Sequence, residues 1–278
     1  PVPVTVVRSY VLPRYVDENT LVIVSSYSGN TEETLAGFET AMDRGAKIYG
    51  ITSNGEVQER AEEAGMPYHQ LPGGMPPRAA LGYSLAAVIH LAEAVDLIDL
   101  PDETWNEAAE VLDTLCAELD RPGGNQALSI AEALADREPI VYSGPGLLAP
   151  VNLRWQCQFE ENAERLAFGN VYPEWNHNEI MGWARGEDQW LLDQLAVVTL
   201  RDRGDHPRVQ QRMEIIGELL AEKAGYWTEV TTRGEHRLTR MLSLVHLGDW
   251  TSLYLSALTG ANPMSISLIS ELKTRLST

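Results

Sequence analysis

The sequence predicts an α/β protein of two similar halves, each a parallel sheet flanked by helices. Three observations carry this reading. Short apolar runs alternate with helix-length amphipathic stretches, as βαβ units require. Glycines close the helical stretches at the first position beyond their ends. The alternation breaks at Arg121-Pro122-Gly123-Gly124-Asn125 and then restarts.

In the first half, Leu21–Ser25 reads as a strand and Thr31 to Arg44 as a helix stopped at Gly45. Lys47–Thr52 is a second strand, with Ser53-Asn54-Gly55 as its turn. Val57–Ala64 is a short helix closed by Gly65, and Pro67–Leu71 a short strand. The rigid loop Pro72-Gly73-Gly74-Met75-Pro76-Pro77 leads into a long apolar helix from Arg78 to about Ile98. Pro101 to Arg121 is amphipathic and helical, and the boundary between halves falls at 122/123, giving domains 1–122 and 123–278. In the second half, a helix near Ala127–Leu134 precedes the strand Ile140–Ser143, a Gly-Pro-Gly turn and a helix over Leu147–Asn162. Leu195–Leu200 and Tyr226–Thr232 are strands separated by the helix Val209–Ala224, and two helices follow. The opening run Pro1-Val2-Pro3-Val4-Thr5-Val6-Val7-Arg8 reads as one more strand.

Composition narrows the function classes. The 278 residues are 44% hydrophobic and 22% charged, as in a water-soluble globular protein. No apolar run approaches the ~20 residues that span a bilayer, and no signal-peptide pattern is read at the start. A net charge of −19 argues against nucleic acid, whose phosphates need compensating Lys and Arg. It does not exclude a small anion, since exposed charges are screened beyond ~8 Å at physiological salt. Cys116 and Cys157 lie far apart without metal-ligand spacing, which fits two buried thiols in a reduced cytoplasmic setting. The six histidines form neither His-x-His nor His-Glu-x-x-His, and no Gly-x-Gly-x-x-Gly follows a strand, so neither a metal nor a dinucleotide is expected.

The most informative stretch is Ser25-Ser26-Tyr27-Ser28-Gly29-Asn30-Thr31-Glu32-Glu33-Thr34. A buried strand ends in hydroxyls and a glycine, and a helix starts at once. Free N–H groups at a helix start and the helix dipole both favour an anion. Ser26, Ser28 and Thr31 would form a ring of donors, with Gly29 admitting a phosphate close to the backbone. An ordinary Ser-rich turn with an N-cap remains the competing interpretation.

This string resembles the phosphosugar-binding signature of sugar isomerase (SIS) domains, and within them the bifunctional phosphoglucose/phosphomannose isomerases. The resemblance implies two doubly wound, flavodoxin-like SIS subdomains, each with about five parallel strands, a homodimer, and a site in the cleft between subdomains shared by the two subunits. It implies metal-free, cofactor-free interconversion of glucose 6-phosphate, and mannose 6-phosphate with it, with fructose 6-phosphate through a cis-enediolate, in glycolysis and gluconeogenesis.

Four further residues take roles from this resemblance. Tyr172-Pro173-Glu174-Trp175-Asn176-His177-Asn178-Glu179-Ile180 is similar to the family's Pro-Glu-x-Asn-His-Asn-Glu run, whose last Glu moves the proton between C1 and C2; the role falls on Glu179. By pattern alone the same run is a helix start capped by Asn176 with Glu179 closing a capping box. Arg78, in Pro76-Pro77-Arg78-Ala79, matches the Arg that steadies the enediolate, and otherwise is a first-turn Arg opposed by the helix dipole. His206 matches the ring-opening His after a strand, which reaches the partner subunit's site; His177 competes for the role. Lys273, in Leu272-Lys273-Thr274-Arg275-Leu276, matches a terminal Lys that assists ring opening, and on pattern is a helix-end cation. His246 and Asp249, in another matching run, look structural.

Two departures stand out. Relatives often carry Asp-Pro-Thr where this sequence has Asn262-Pro263-Met264, which bears on use of the mannose epimer. The family's preceding strand–loop–helix with a Gly-Gly-Ser turn has no match here, which reads as a fragment, a misassigned gene start or a site that has lost part of its phosphate contacts. A non-catalytic or regulatory phosphosugar-binding protein is the alternative. An amidotransferase-type isomerase would need a Cys-nucleophile domain that this sequence does not contain.

Overall fold

A computed structural model describes residues 2–121, 123–184 and 189–276. The chain divides into two units, Pro1–Leu100 and Pro101–Thr278.

The first unit runs β1 (Leu21–Ser25), α1 (Glu32–Asp43), β2 (Lys47–Thr52), α2 (Glu56–Glu63), β3 (Tyr68–Gln70), a 3-10 turn Pro77–Ala80 and α3 (Leu81–Ala94). Its three strands are parallel in the order β1-β2-β3, with Leu21 opposite Lys47 and Ser25 opposite Ile51. Gly45 and Gly65 stop α1 and α2 at positive φ, as the sequence predicts. Phe38 and Ala41 of α1 bury against Val24, Ile48 and Val57, with Leu12 and Val16 closing the same cluster. The opening run forms no strand: residues 2–7 are exposed and carry no ladder. A strand exists only through its neighbour's hydrogen bonds, and Pro3 offers no N–H to one.

The second unit runs α4 (Asp102–Leu119), α5 (Gln126–Leu134), β4 (Glu138–Ser143), α6 (Ala149–Ala163), β5 (Phe168–Val171), 3-10 turns Glu174–His177 and Glu179–Ala184, α7 (Gln189–Leu192), β6 (Leu195–Arg201), α8 (Pro207–Leu220), β7 (Tyr226–Thr231), α9 (Arg237–Thr259) and α10 (Ser267–Leu276). Its parallel sheet has the order β5-β4-β6-β7. The sheets thus hold three and four strands rather than about five. One face of this sheet packs Ile140, Tyr142 and Val197 against Met213, Ile216 and Leu220 of α8, with Tyr172, Trp175 and Trp183. On α9, Gly248 has no room for a side chain: a Cβ there would lie 2.3 Å from Trp155 Nε1, which donates to Leu244 O at 2.7 Å. That glycine lets α9 lie close against α6.

By packing, the two compact units divide at Leu100–Pro101, since α4 packs with the second unit. Thr104, Ala108, Leu115 and Leu119 bury one stripe of α4, while Glu107 bonds to the start of α9. Pro122, at the expected boundary, lies outside the described residues. Cys116, expected to be buried, falls off that stripe and is exposed; Cys157 is half-buried. No helix among the described residues is long and apolar enough to cross a membrane.

Candidate active site

The loops that carry the predicted residues leave the carboxyl ends of parallel strands, where open α/β sheets place their ligands. The first follows β1. Ser26 is buried, and its Oγ lies 2.8 Å from Thr31 Oγ1. Thr31 occupies the N-cap of α1, yet its side chain makes no cap hydrogen bond. The hydroxyl is held by Ser26 instead, so the first-turn amides of α1 have no acceptor from it. Ser28 Oγ accepts the Asn30 N–H at 3.3 Å. The hydroxyls and the helix start place several donors in one loop, a set suited to a phosphate. Glu32 and Glu33 stand exposed in the same turn.

The loop after β2 locks this one in place. Ser53 N and Oγ both donate to Tyr27 O, at 3.0 and 2.6 Å, and Asn30 Oδ1 accepts the Glu56 N–H at 3.0 Å. Gly29 sits at φ +69°, and a Cβ on it would lie 1.8 Å from Asn54 O. Its glycine character is therefore fixed by loop-on-loop packing. Tyr27 Oη donates to Pro72 O at 2.9 Å and accepts the Met75 N–H at 3.2 Å, tying in the loop that leads to Arg78. Arg78 lies half-buried in the 3-10 turn Pro77–Ala80, ahead of α3 rather than in its first turn.

In the second unit, Glu179 opens the 3-10 turn Glu179–Ala184 after β5. The capping-box interpretation fails here. Asn176 N bonds to Pro173 O, and the Asn176 side-chain amide is buried with no partner. The Glu179 carboxylate turns to the sheet: Tyr142 Oη donates to Oε1, and Asn170 Nδ2 donates to Oε2 at 2.9 Å. Trp183 Nε1 donates to Tyr142 Oη at 3.3 Å. Burial first, then the hydrogen bond to Glu179, push the Tyr142 phenol far above its ordinary pKa. Both oxygens of a half-buried carboxylate are thus held by neutral donors, an arrangement suited to a base of fixed orientation.

His206 is the N-cap of α8, and its Nδ1 accepts the Arg208 N–H at 3.1 Å. A neutral ring so engaged carries its proton on Nε2. The residue is exposed and edges a cavity of about 160 Å³, shared with Gly146, Asp202, Asp205 and Arg240. The side chain of Asp205 is buried, with Oδ2 unbonded, and burial raises its pKa. His177 is exposed at the end of the turn Glu174–His177. Lys273 is exposed in the last turn of α10, a helix with no buried residue. Met264 is 65% exposed. His246 accepts the Trp250 Nε1–H at 3.1 Å, and Asp249 accepts two bonds from Arg154 and one from Gln158, all between or within α6 and α9.

The structure therefore brings Ser26, Ser28, Gly29 and Thr31 into one loop of the first unit. Glu179, His206 and Lys273 stand on separate elements of the second. The sequence reading missed Tyr142 and Asn170. Tyr142 carried one signal, a phenol near the carboxyl end of an otherwise apolar strand, which must find a partner once buried. Asn170 carried none, because its strand was not foreseen.

Comparison with known proteins adds an independent finding. Residues 124–276 match the bacterial phospho-glucose isomerase C-terminal SIS domain. A bifunctional phosphoglucose/phosphomannose isomerase of Caldicellulosiruptor bescii is 39% identical over 279 residues, spanning 99% of this chain and 81% of that protein. The enzyme of the same name from Aquifex aeolicus is 38% identical over 274 residues, again spanning 99% and 81%. A solved glucose-6-phosphate isomerase like protein of Thermus thermophilus shares the fold, with a TM-score of 0.65 at 21% identity over 91% of this chain and 79% of that one.

Proposed function

The chain belongs to the bifunctional phosphoglucose/phosphomannose isomerases, a family of SIS-domain proteins, and from that premise we propose that it is a metal-independent aldose–ketose isomerase. It interconverts glucose 6-phosphate and mannose 6-phosphate with fructose 6-phosphate. Ser26, Ser28 and Thr31 hold the phosphate, with the α1 dipole behind them. His206 and Lys273 assist ring opening, with His177 the competing histidine. The Glu179 carboxylate then takes the C2 proton of the open-chain aldose. The electron pair left on C2 forms the C1–C2 double bond of a cis-enediolate, and the carbonyl π pair moves to O1. Arg78 stabilises that charge. The O2 proton passes to O1, the O2 electron pair forms the C2 carbonyl, and the C1–C2 π pair takes the proton back from Glu179 at C1, giving the ketose with no net change in atoms. Return of the proton to the opposite face of C2 in the reverse direction yields the mannose epimer.

The observation that carries this reading is the carboxylate of Glu179, which is held by Tyr142 and Asn170 and caps no helix. The enzyme acts as a homodimer in the cytoplasm, serving glycolysis and gluconeogenesis. Exposed Leu268, Leu272 and Leu276 on α10 support a second copy, since these large apolar side chains remain mostly open to solvent on their own chain. The test is incubation of the purified chain with fructose 6-phosphate in EDTA, following both aldoses. Formation of both is expected. Glucose 6-phosphate alone would tie Met264 to a narrowed epimer choice. Neither product from a folded protein that binds the sugar phosphate would replace the enzyme with a phosphosugar-binding protein.

A further inference from the structure

Tyr142 and Asn170 hold the Glu179 carboxylate yet take no step of their own in the reaction. We propose that Tyr142 is a positioning residue for proton transfer, its hydroxyl fixing the plane of the Glu179 carboxylate from Oε1 while Asn170 fixes Oε2. The inference rests on the isomerase reading above and adds a residue to it.

Direction is settled by chemistry. An ionised carboxylate only accepts, so Tyr142 must donate, and Trp183, which only donates, occupies the acceptor side of the same oxygen. Each partner is itself immobilised. Tyr142 lies on β4, which is hydrogen-bonded to β5 on one side and β6 on the other. Its ring is fully buried, stacked on Trp175 at 4.3 Å and 10°, with Tyr172 edge-on at 6.3 Å. Asn170 lies opposite Tyr142 in the register of β4 and β5. Two neighbouring strands of one sheet therefore hold the two oxygens of one carboxylate. Such a base is held to a fraction of an ångström by rigid elements rather than by its own loop.

The contact also has a chemical consequence. Hydrogen bonds donated to a carboxylate favour its ionised form. Each oxygen gives one lone pair to the protein and keeps another for the substrate proton. The raised phenol pKa keeps the Tyr142 hydroxyl protonated, and so a donor, beyond the ordinary range of a phenol.

The test compares wild type with Tyr142→Phe and Trp183→Phe in fructose 6-phosphate turnover across pH, with thermal unfolding measured in parallel. Tyr142→Phe is expected to lower kcat by about tenfold to hundredfold, the range a misplaced reacting group produces. KM should stay within about twofold, because the phosphate is held elsewhere. The acid limb of kcat/KM should move to higher pH by about one unit, the equivalent of one lost hydrogen bond to a charged group. Trp183→Phe should move the limb the same way by less. A Tyr142→Phe enzyme with unchanged kcat and acid limb overturns the proposal. So does one with a lowered melting temperature and an unmoved limb, which is the signature of a purely structural tyrosine. If Tyr142→Phe fails to fold, an unmoved acid limb in Trp183→Phe overturns it. An inactive wild type would instead overturn the isomerase reading and this inference together, whereas an active wild type with an unmoved variant removes this inference alone.

Discussion

Arg240 of α9 donates from Nε to Oδ1 of Asp202, just past the end of β6, at 2.8 Å, with side chains only 11% and 2% exposed. Thr232 Oγ1 donates to the same oxygen at 2.8 Å, and Gly204 N donates to Oδ2 at 3.0 Å. The pair thus pins the long helix to the turn that presents His206. Arg240→Met removes the cation and leaves a buried carboxylate. Unfolding in urea should show a loss of about 3 kcal/mol or more, the cost of breaking a buried pair from one side.

Gly29 and Asn54 make the loop after β1 intolerant of a methyl group. Gly29→Ala must abandon φ +69° or drive a Cβ into Asn54 O. The expected result is a stability loss of about 2 kcal/mol or more and a raised KM for sugar phosphates. Gly73→Ala is the control, since a Cβ there meets nothing within 4 Å. Equal effects from the two variants would show that the loop contact does not shape the site.

Glu107 of α4 caps α9 across the fold. Its Oε1 accepts the Glu235 N–H at 2.6 Å, and Oε2 accepts from His236 N, His236 Nδ1 and Thr239 Oγ1 at 3.0, 2.7 and 2.7 Å. Burial raises the carboxyl pKa, but these four donors outweigh it and bring the group from 4.5 to about 2. A depressed carboxylate stabilises the fold above its unfolded value and loses that contribution as pH falls through its folded one. Glu107→Gln should therefore cost about 1–3 kcal/mol at pH 7, and the gap to wild type should close between pH 4.5 and about 2. Unfolding across pH measures this directly, and a gap independent of pH would show that the carboxylate charge contributes nothing.

Much of this architecture was legible because local signals and tertiary demands agreed. Gly45 and Gly65 end α1 and α2 at positive φ, and the Val-rich runs at β1 and β6 became parallel strands. β5 was not legible. Its Phe168-Gly169-Asn170-Val171 is a poor strand by propensity and exists through pairing with β4. Gly169 is required there because a Cβ would lie 2.7 Å from the backbone oxygen of Val141. The packing of α4 with the second unit was not legible, because its buried stripe finds a partner only once α9 is in place. At the candidate site, the segment bearing Glu179 was found from its motif. Its partner Tyr142 lies 37 residues earlier in the chain, a separation at which no local pattern reports a contact.

The most direct test of the account is turnover of fructose 6-phosphate by Glu179→Gln in the presence of EDTA. Glutamine keeps the size and can still accept from Tyr142 but cannot take a proton. The account predicts a kcat lower by about 10³-fold, within the range a general base supplies, with KM and melting temperature close to wild type. A rate within about tenfold of wild type would contradict the assignment of Glu179 as the base.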